Sequence, residues 1–153
     1  MQIQNNVKID NTDYYLIENH YKCSISTEIR DFLNDFNGEI VDPEDGLEIT
    51  YHTFDEQAIA DYFPNILHTK EIIEQLPHID YIEDFFDNSE LSRNDVEVEY
   101  LLPIIEVCGG SLGLYIALDG NHKDKIFMVD NGDFGICKIA ESLADLSSRL
   151  KTT

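Results

Sequence analysis

The clearest hydrophobic pattern in the chain is a helical one at residues 26–37. Its apolar side chains recur at spacings of three and four residues, which places them on one face of a helix. They are Ile29, Phe32, Leu33 and Phe36, while Glu28, Arg30, Asp31 and Asp35 take the other face. Ser26 can cap the start, and Gly38 can end the helix because glycine readily adopts the left-handed conformation. We therefore predict an amphipathic helix over this segment.

The segment before this helix shows no regular pattern. Residues 1–24 predict an irregular or strand-like lead-in, which docks on the domain through Tyr14, Tyr15 and Ile17. The first residues are polar and lack the apolar run of a signal peptide, and no run is long enough to span a bilayer. We therefore expect a cytoplasmic protein.

The middle of the chain mixes strand and helix signals. Residues 47–51 alternate between apolar and polar side chains, which is typical of a half-buried strand. Thr53 and Glu56 have the spacing of a capping box, and they predict a helix that extends to residues 62–63. A further helical stretch is predicted for residues 66–76.

After residue 97 the pattern changes to consecutive strands. Four apolar runs predict strands at residues 100–107, 112–118, 125–129 and 136–139. Ser142 and Asp145 then cap a terminal helix, whose apolar positions are Leu143, Leu146 and Leu150. Helices precede a run of neighbouring strands, so we predict one α+β domain over residues 1–153, with helices packed against a largely antiparallel sheet.

The charge of the chain indicates which kinds of molecule it can bind. The 153 residues carry a net charge of −21, and residues 1–100 hold 24 Asp and Glu against 5 Lys and Arg. Such a field repels nucleic acid and anionic membranes, and it attracts a basic protein. The alternative is that the acids only keep the protein soluble.

The chain contains cysteine, histidine and serine, but their spacing does not match disulfides, a metal site or a nucleophile motif. Cys23, Cys108 and Cys137 are spaced irregularly, which favours reduced thiols over disulfides or a zinc site. The five histidines show no i, i+4 pairing, and no serine lies in a nucleophile motif. We therefore predict no catalytic, cofactor-binding or metal-binding residues, and no enzyme activity.

Two acidic segments are candidates for partner binding. The first combines aromatic anchors with charge, and its residues are Glu83, Asp84, Phe85, Phe86 and Asp87. The second is a turn formed by Asp42, Glu44, Asp45 and Glu48, whose spacing does not match a calcium-binding loop. The alternative is that Phe85 and Phe86 belong to the core and the acids form a solvated face.

Motifs over residues 25–150 resemble the SUKH superfamily, which joins bacterial immunity proteins to fungal regulators of cell-wall synthesis. The matching C-terminal segments are Leu101-Leu102-Pro103-Ile104-Ile105, Gly109-Gly110-Ser111, Leu112 to Leu118, Lys125 to Asp130, and Ile139-Ala140-Glu141-Ser142-Leu143. The early helix, with Phe32-Leu33 and Asn37-Gly38, also resembles that of the family. The chain departs from the pattern in having no tryptophan and in Leu143, where phenylalanine is common.

The resemblance implies a small binding protein that neutralises a toxin in the cytoplasm, and it transfers no catalytic residue. A nuclease toxin with a basic cleft would suit an acidic inhibitor. A regulatory or scaffold module of the same fold is the alternative, and an enzyme that uses acidic residues is a third, weaker one.

Overall fold

The computed structural model describes residues 11–36, 47–52, 57–62, 65–66, 69–74, 76, 96–107, 112–130 and 135–148. Its helices are α1 (Asn11–Tyr21), α2 (Thr27–Phe36), α3 (69–74) and α4 (Leu143–Ser147), with a 3-10 turn at Val98–Tyr100. Its strands are β1 (Leu47–His52), β2 (Gln57–Tyr62), β3 (Asn65–Ile66), β4 (Leu101–Val107), β5 (Leu112–Ala117), β6 (Ile126–Asp130) and β7 (Gly135–Ala140).

Strands β3 to β7 form a sheet in their chain order, and every neighbouring pair is antiparallel. The four predicted C-terminal strands are therefore confirmed as consecutive neighbours, and β3 adds a short fifth strand at the edge. Strands β1 and β2 form a separate antiparallel hairpin, in which β1 lies close to β7. The predicted α+β class is confirmed.

The sheet is buried on both faces, because side chains alternate between them along each strand. Leu114 and Ile116 of β5 belong to the cluster that contains the buried residues of the helices. Ala117 of β5 and Phe127 of β6 belong to a second cluster, together with Val98 from the 3-10 turn. The helices therefore pack on one face, and the segment that precedes β4 lies on the other.

The described helix caps follow the sequence signals. Ser26 Oγ accepts a hydrogen bond from the backbone N–H of Ile29 at 3.3 Å, and Ser142 Oγ accepts one from Asp145 at 3.1 Å. Ile29, Phe32 and Leu33 are buried at the start and middle of α2, as their spacing predicts. Helices α2 and α4 thus begin where a serine satisfies a backbone N–H that has no partner within the helix.

Two predicted elements were wrong, and a third begins later than predicted. The lead-in contains a helix, α1, which buries Tyr14 and Ile17 while Tyr15 stays exposed. Residues 57–62 form β2 instead of a helix, since their backbone groups pair with β1. The helix predicted over residues 66–76 is confirmed at residues 69–74 and 76, but its predicted start was wrong, because Ile66 pairs with Ile105 of β4.

The free edge of β4 is protected where β3 does not cover it. The backbone carbonyl of Tyr100 accepts a hydrogen bond from the backbone N–H of Leu118, so it points towards β5. The backbone groups of the next residue, Leu101, therefore point away from β5, towards the edge. Tyr21 Oη donates to the Leu101 carbonyl at 2.6 Å. Two residues further on, Pro103 has no N–H to present at that edge. These features disfavour pairing with a further strand.

The turn between β5 and β6 depends on Gly120, whose φ is +84°. A Cβ at this position would lie 2.6 Å from Glu97 Oε1, which accepts a hydrogen bond from the backbone N–H of Asn121. We expect Gly120→Ala to lower the free energy of unfolding by about 1–2 kcal/mol, from backbone strain and loss of that bond. Urea denaturation would measure this change.

The matched control for this prediction is Asn121→Ala, an exposed neighbour that keeps its backbone donor. It should alter the free energy of unfolding by no more than about 0.5 kcal/mol. Equal effects from the two alanines would contradict the role given to the positive φ of Gly120.

Candidate interaction surface

Helices α1 and α2 are joined by a cluster of polar contacts, which we call the clasp (Tyr14, Glu18, Ile25, Arg30). The Glu18 carboxylate accepts two hydrogen bonds. Its Oε1 accepts one from the Arg30 guanidinium at 3.0 Å, and its Oε2 accepts one from the backbone N–H of Ile25 at 2.8 Å. The guanidinium also lies 4.6 Å from the centre of the Tyr14 ring, at cation–π distance. The clasp joins α1 to the beginning of α2, and both helices bury residues in the cluster on one face of the sheet.

Charged residues of α2 affect the pKa of Tyr14 in the clasp. Burial raises the pKa of the Tyr14 phenol, and the carboxylates of Asp31 and Asp13 raise it further against the opposing effect of Arg30. The Tyr14 hydroxyl therefore stays protonated at neutral pH, and it donates to the Arg30 carbonyl at 3.3 Å. The negative charge of Asp31 on α2 therefore acts on a side chain of α1.

The outer side of α2 carries an acidic face, formed by Glu28, Asp31 and Asp35. All three side chains are exposed, and within the described part of the chain no Lys, Arg or His forms an ion pair with them. Successive members of this face are three and four residues apart, about 4.5 and 6 Å along the helix axis. Neighbouring carboxylates therefore lie within the Debye length of about 8 Å at physiological salt, and they repel one another.

Beside this face, α1 exposes a stripe without charge. Thr12, Tyr15, Leu16 and Asn19 are exposed and lie at positions i, i+3, i+4 and i+7, so they follow one side of the helix. Tyr15 is 67% exposed and Leu16 is 44% exposed. We call these four residues the uncharged stripe.

A second acidic region lies at the other end of α1. This acidic corner consists of Glu97, Glu99 and Asp119, and burial together with these acids raises the pKa of Tyr100. Burial also raises the pKa of the neighbouring Cys23 thiol, and Asp119 reinforces that shift. A protonated thiol is a poor nucleophile, so the corner does not activate Cys23.

The other candidate residues for chemistry are dispersed. Cys137 is buried beneath the helices, and His122 packs edge-on against Phe127 at 5.4 Å between ring centres. Within the described ranges, no three His, Cys, Asp or Glu side chains come together in a way that could hold a metal ion. Those ranges also contain no helix with the length and apolar character needed to cross a membrane.

Most of the predicted partner-binding residues lie outside the described residues. They are Glu83, Asp84, Phe85, Phe86, Asp87, Asp42, Glu44 and Asp45. Glu48 is described only as part of the backbone of β1, where its Cα is paired with that of Asp61. These candidates remain predictions.

Two surface features were missed as binding candidates from the sequence. The acids of α2 were assigned to an outer face, but nothing in the sequence distinguished them from other solvated acids. The uncharged stripe had a signal in the spacing of Tyr14, Ile17 and Tyr21, which are the buried residues of α1. That spacing is compatible with a helix that has Tyr15 and Leu16 on its outer side, but these apolar outer residues obscure the pattern.

Comparison with known proteins adds no assignment, since no protein-family model and no curated protein matches the chain.

Proposed function

We propose that the chain is a non-catalytic binding protein that neutralises a basic toxin protein in the cytoplasm. The observation that carries the proposal is the acidic face of α2, which is exposed and has no described cationic partner, on a chain of net charge −21. Carboxylates arranged in this way repel one another and gain from a partner that supplies Lys or Arg. A toxin that acts on nucleic acid has such a surface, because its substrate is a polyanion.

The SUKH resemblance supports the same proposal. The segments that carry it coincide with β4, β5, β6 and the passage from β7 into α4. Membership of the superfamily remains part of the proposal, and so does the absence of catalysis.

A growth experiment tests the proposal. The product of the gene adjacent to the one that encodes this chain is induced in a bacterial host, alone and together with the chain. We expect the adjacent product to arrest growth alone, and growth to recover when the chain is present. Recovery follows because a bound inhibitor blocks the basic cleft.

The control is an unrelated protein of similar size and net charge, which should not restore growth. Absence of toxicity, or toxicity that the chain does not relieve, would contradict the proposal. Binding without protection would instead favour a regulatory or scaffold module of the same fold.

A further inference from the structure

The uncharged stripe on α1 differs in chemistry from the acidic face of α2. None of its four exposed residues carries a charged side chain, although 27% of the sequence is charged. Among the described residues, the exposed large hydrophobic side chains are Tyr15 and Leu16, and both belong to this stripe. Tyrosine is enriched among the residues that dominate binding energy at protein interfaces.

The helix that presents these side chains is held in place along its length. Near its start, Asp13 accepts a hydrogen bond from the buried hydroxyl of Thr69 at 3.1 Å. Glu18 belongs to the clasp, and at the last residue Tyr21 Oη donates to the Leu101 carbonyl at 2.6 Å. An anchor on a helix fixed at three points loses little further freedom on binding, which favours affinity.

The negative charge of the molecule around the stripe indicates which kind of partner can bind there. The clasp joins α1 to α2, and both helices bury their apolar residues in the same cluster on one face of the sheet, so the stripe and the acidic face both belong to the layer of helices on that face. A second copy of this chain would bring its own charge of −21 to the contact and would be repelled. An anionic membrane would be repelled for the same reason.

We propose that the uncharged stripe is a docking surface for a basic protein, and that Tyr15 and Leu16 enter an apolar recess bordered by Lys and Arg on that protein. This inference rests on the proposed function, from which the positive charge of the partner is taken. It adds the surface that is used and the apolar contact that provides specificity. Acidic residues around the anchor speed the encounter, and the anchor slows dissociation.

A peptide selection tests the docking surface without any knowledge of the natural partner. The probe is a phage-displayed library of random peptides, panned against the folded wild-type chain. We expect enriched peptides to combine Lys or Arg with aromatic or aliphatic residues. Their affinity should fall at least about tenfold for the double variant Tyr15→Ser, Leu16→Ser, since truncation removes an interface anchor.

The matched control is the double variant Tyr15→Phe, Leu16→Met, which keeps the apolar surface and should retain the affinity. A thermal melt of both variants checks that the fold is unchanged. Failure to enrich peptides, peptides without basic residues, or equal affinity for the serine variant would each overturn the inference. The growth experiment is independent of this selection, so failure of the toxin proposal is distinguishable from failure of the docking surface.

Discussion

Replacing Leu33 with alanine is expected to lower the free energy of unfolding by about 2–5 kcal/mol. Leu33 is fully buried on α2, in the cluster that joins the helices to the sheet. Removing its side chain forfeits the burial of the missing atoms and leaves a cavity, because the packed surroundings relax only in part. The loss is a large share of the roughly 5–15 kcal/mol that stabilises a typical domain. Thermal unfolding should show it as a decrease in Tm of roughly 4–20 °C.

The same substitution at an exposed position provides the control. Leu16→Ala on α1 removes the same atoms from a side chain that is 44% exposed. We expect it to change the free energy of unfolding by no more than about 0.5 kcal/mol. Similar losses for Leu16→Ala and Leu33→Ala would show that α2 does not pack on the sheet as described.

Reversing charge on α2 is expected to slow the encounter with the basic partner of the proposed function. In the double variant Asp31→Lys, Asp35→Lys, two carboxylates of the acidic face become cations. Steering by charge raises association rates by about 10-fold to 1000-fold, so we expect about a tenfold decrease at low salt. Stopped-flow mixing with a catalytically inactive form of the toxin would measure the rate across a salt series. The dependence of that rate on salt should also weaken.

A control variant with the same net charge distinguishes the effect of charge on α2 from the effect of the total charge of the chain. Glu74→Lys, Glu99→Lys alters two exposed acids on other elements and changes the net charge of the chain by the same amount. Its association rate should remain closer to that of the wild type. The reverse ranking would place the interface near Glu74 of α3 or near the acidic corner, and equal rates would show that the interaction depends on total charge alone.

The sequence predicted the C-terminal sheet well because its signals there are local. Alternation or continuous apolar character marks each of β4 to β7, and short connections leave antiparallel pairing as the simple arrangement. The caps of α2 and α4 were predictable for the same reason, since a serine hydroxyl accepts from a backbone N–H three residues away.

The errors occurred where local signals were weak or misleading. Helix α1 has apolar residues on its inner and outer sides, as Ile17 and Leu16 show, so its periodicity is faint. Residues 57–62 follow a capping-box pattern and include two alanines, which favour helix, yet they form a strand. Pairing with β1 satisfies their backbone groups, and such long-range contacts override local propensity.

The sequence by itself determined the α+β class, the succession of C-terminal strands and the net negative charge. Those properties depend on spacing between near neighbours and on total charge, which need no coordinates. Only the tertiary structure decided that α1 is a helix, that Glu18 is neutralised by Arg30, and that the acidic face of α2 and the uncharged stripe lie on two adjoining helices. Exposure and pairing depend on residues distant in the chain, so a pattern of neighbours does not contain them.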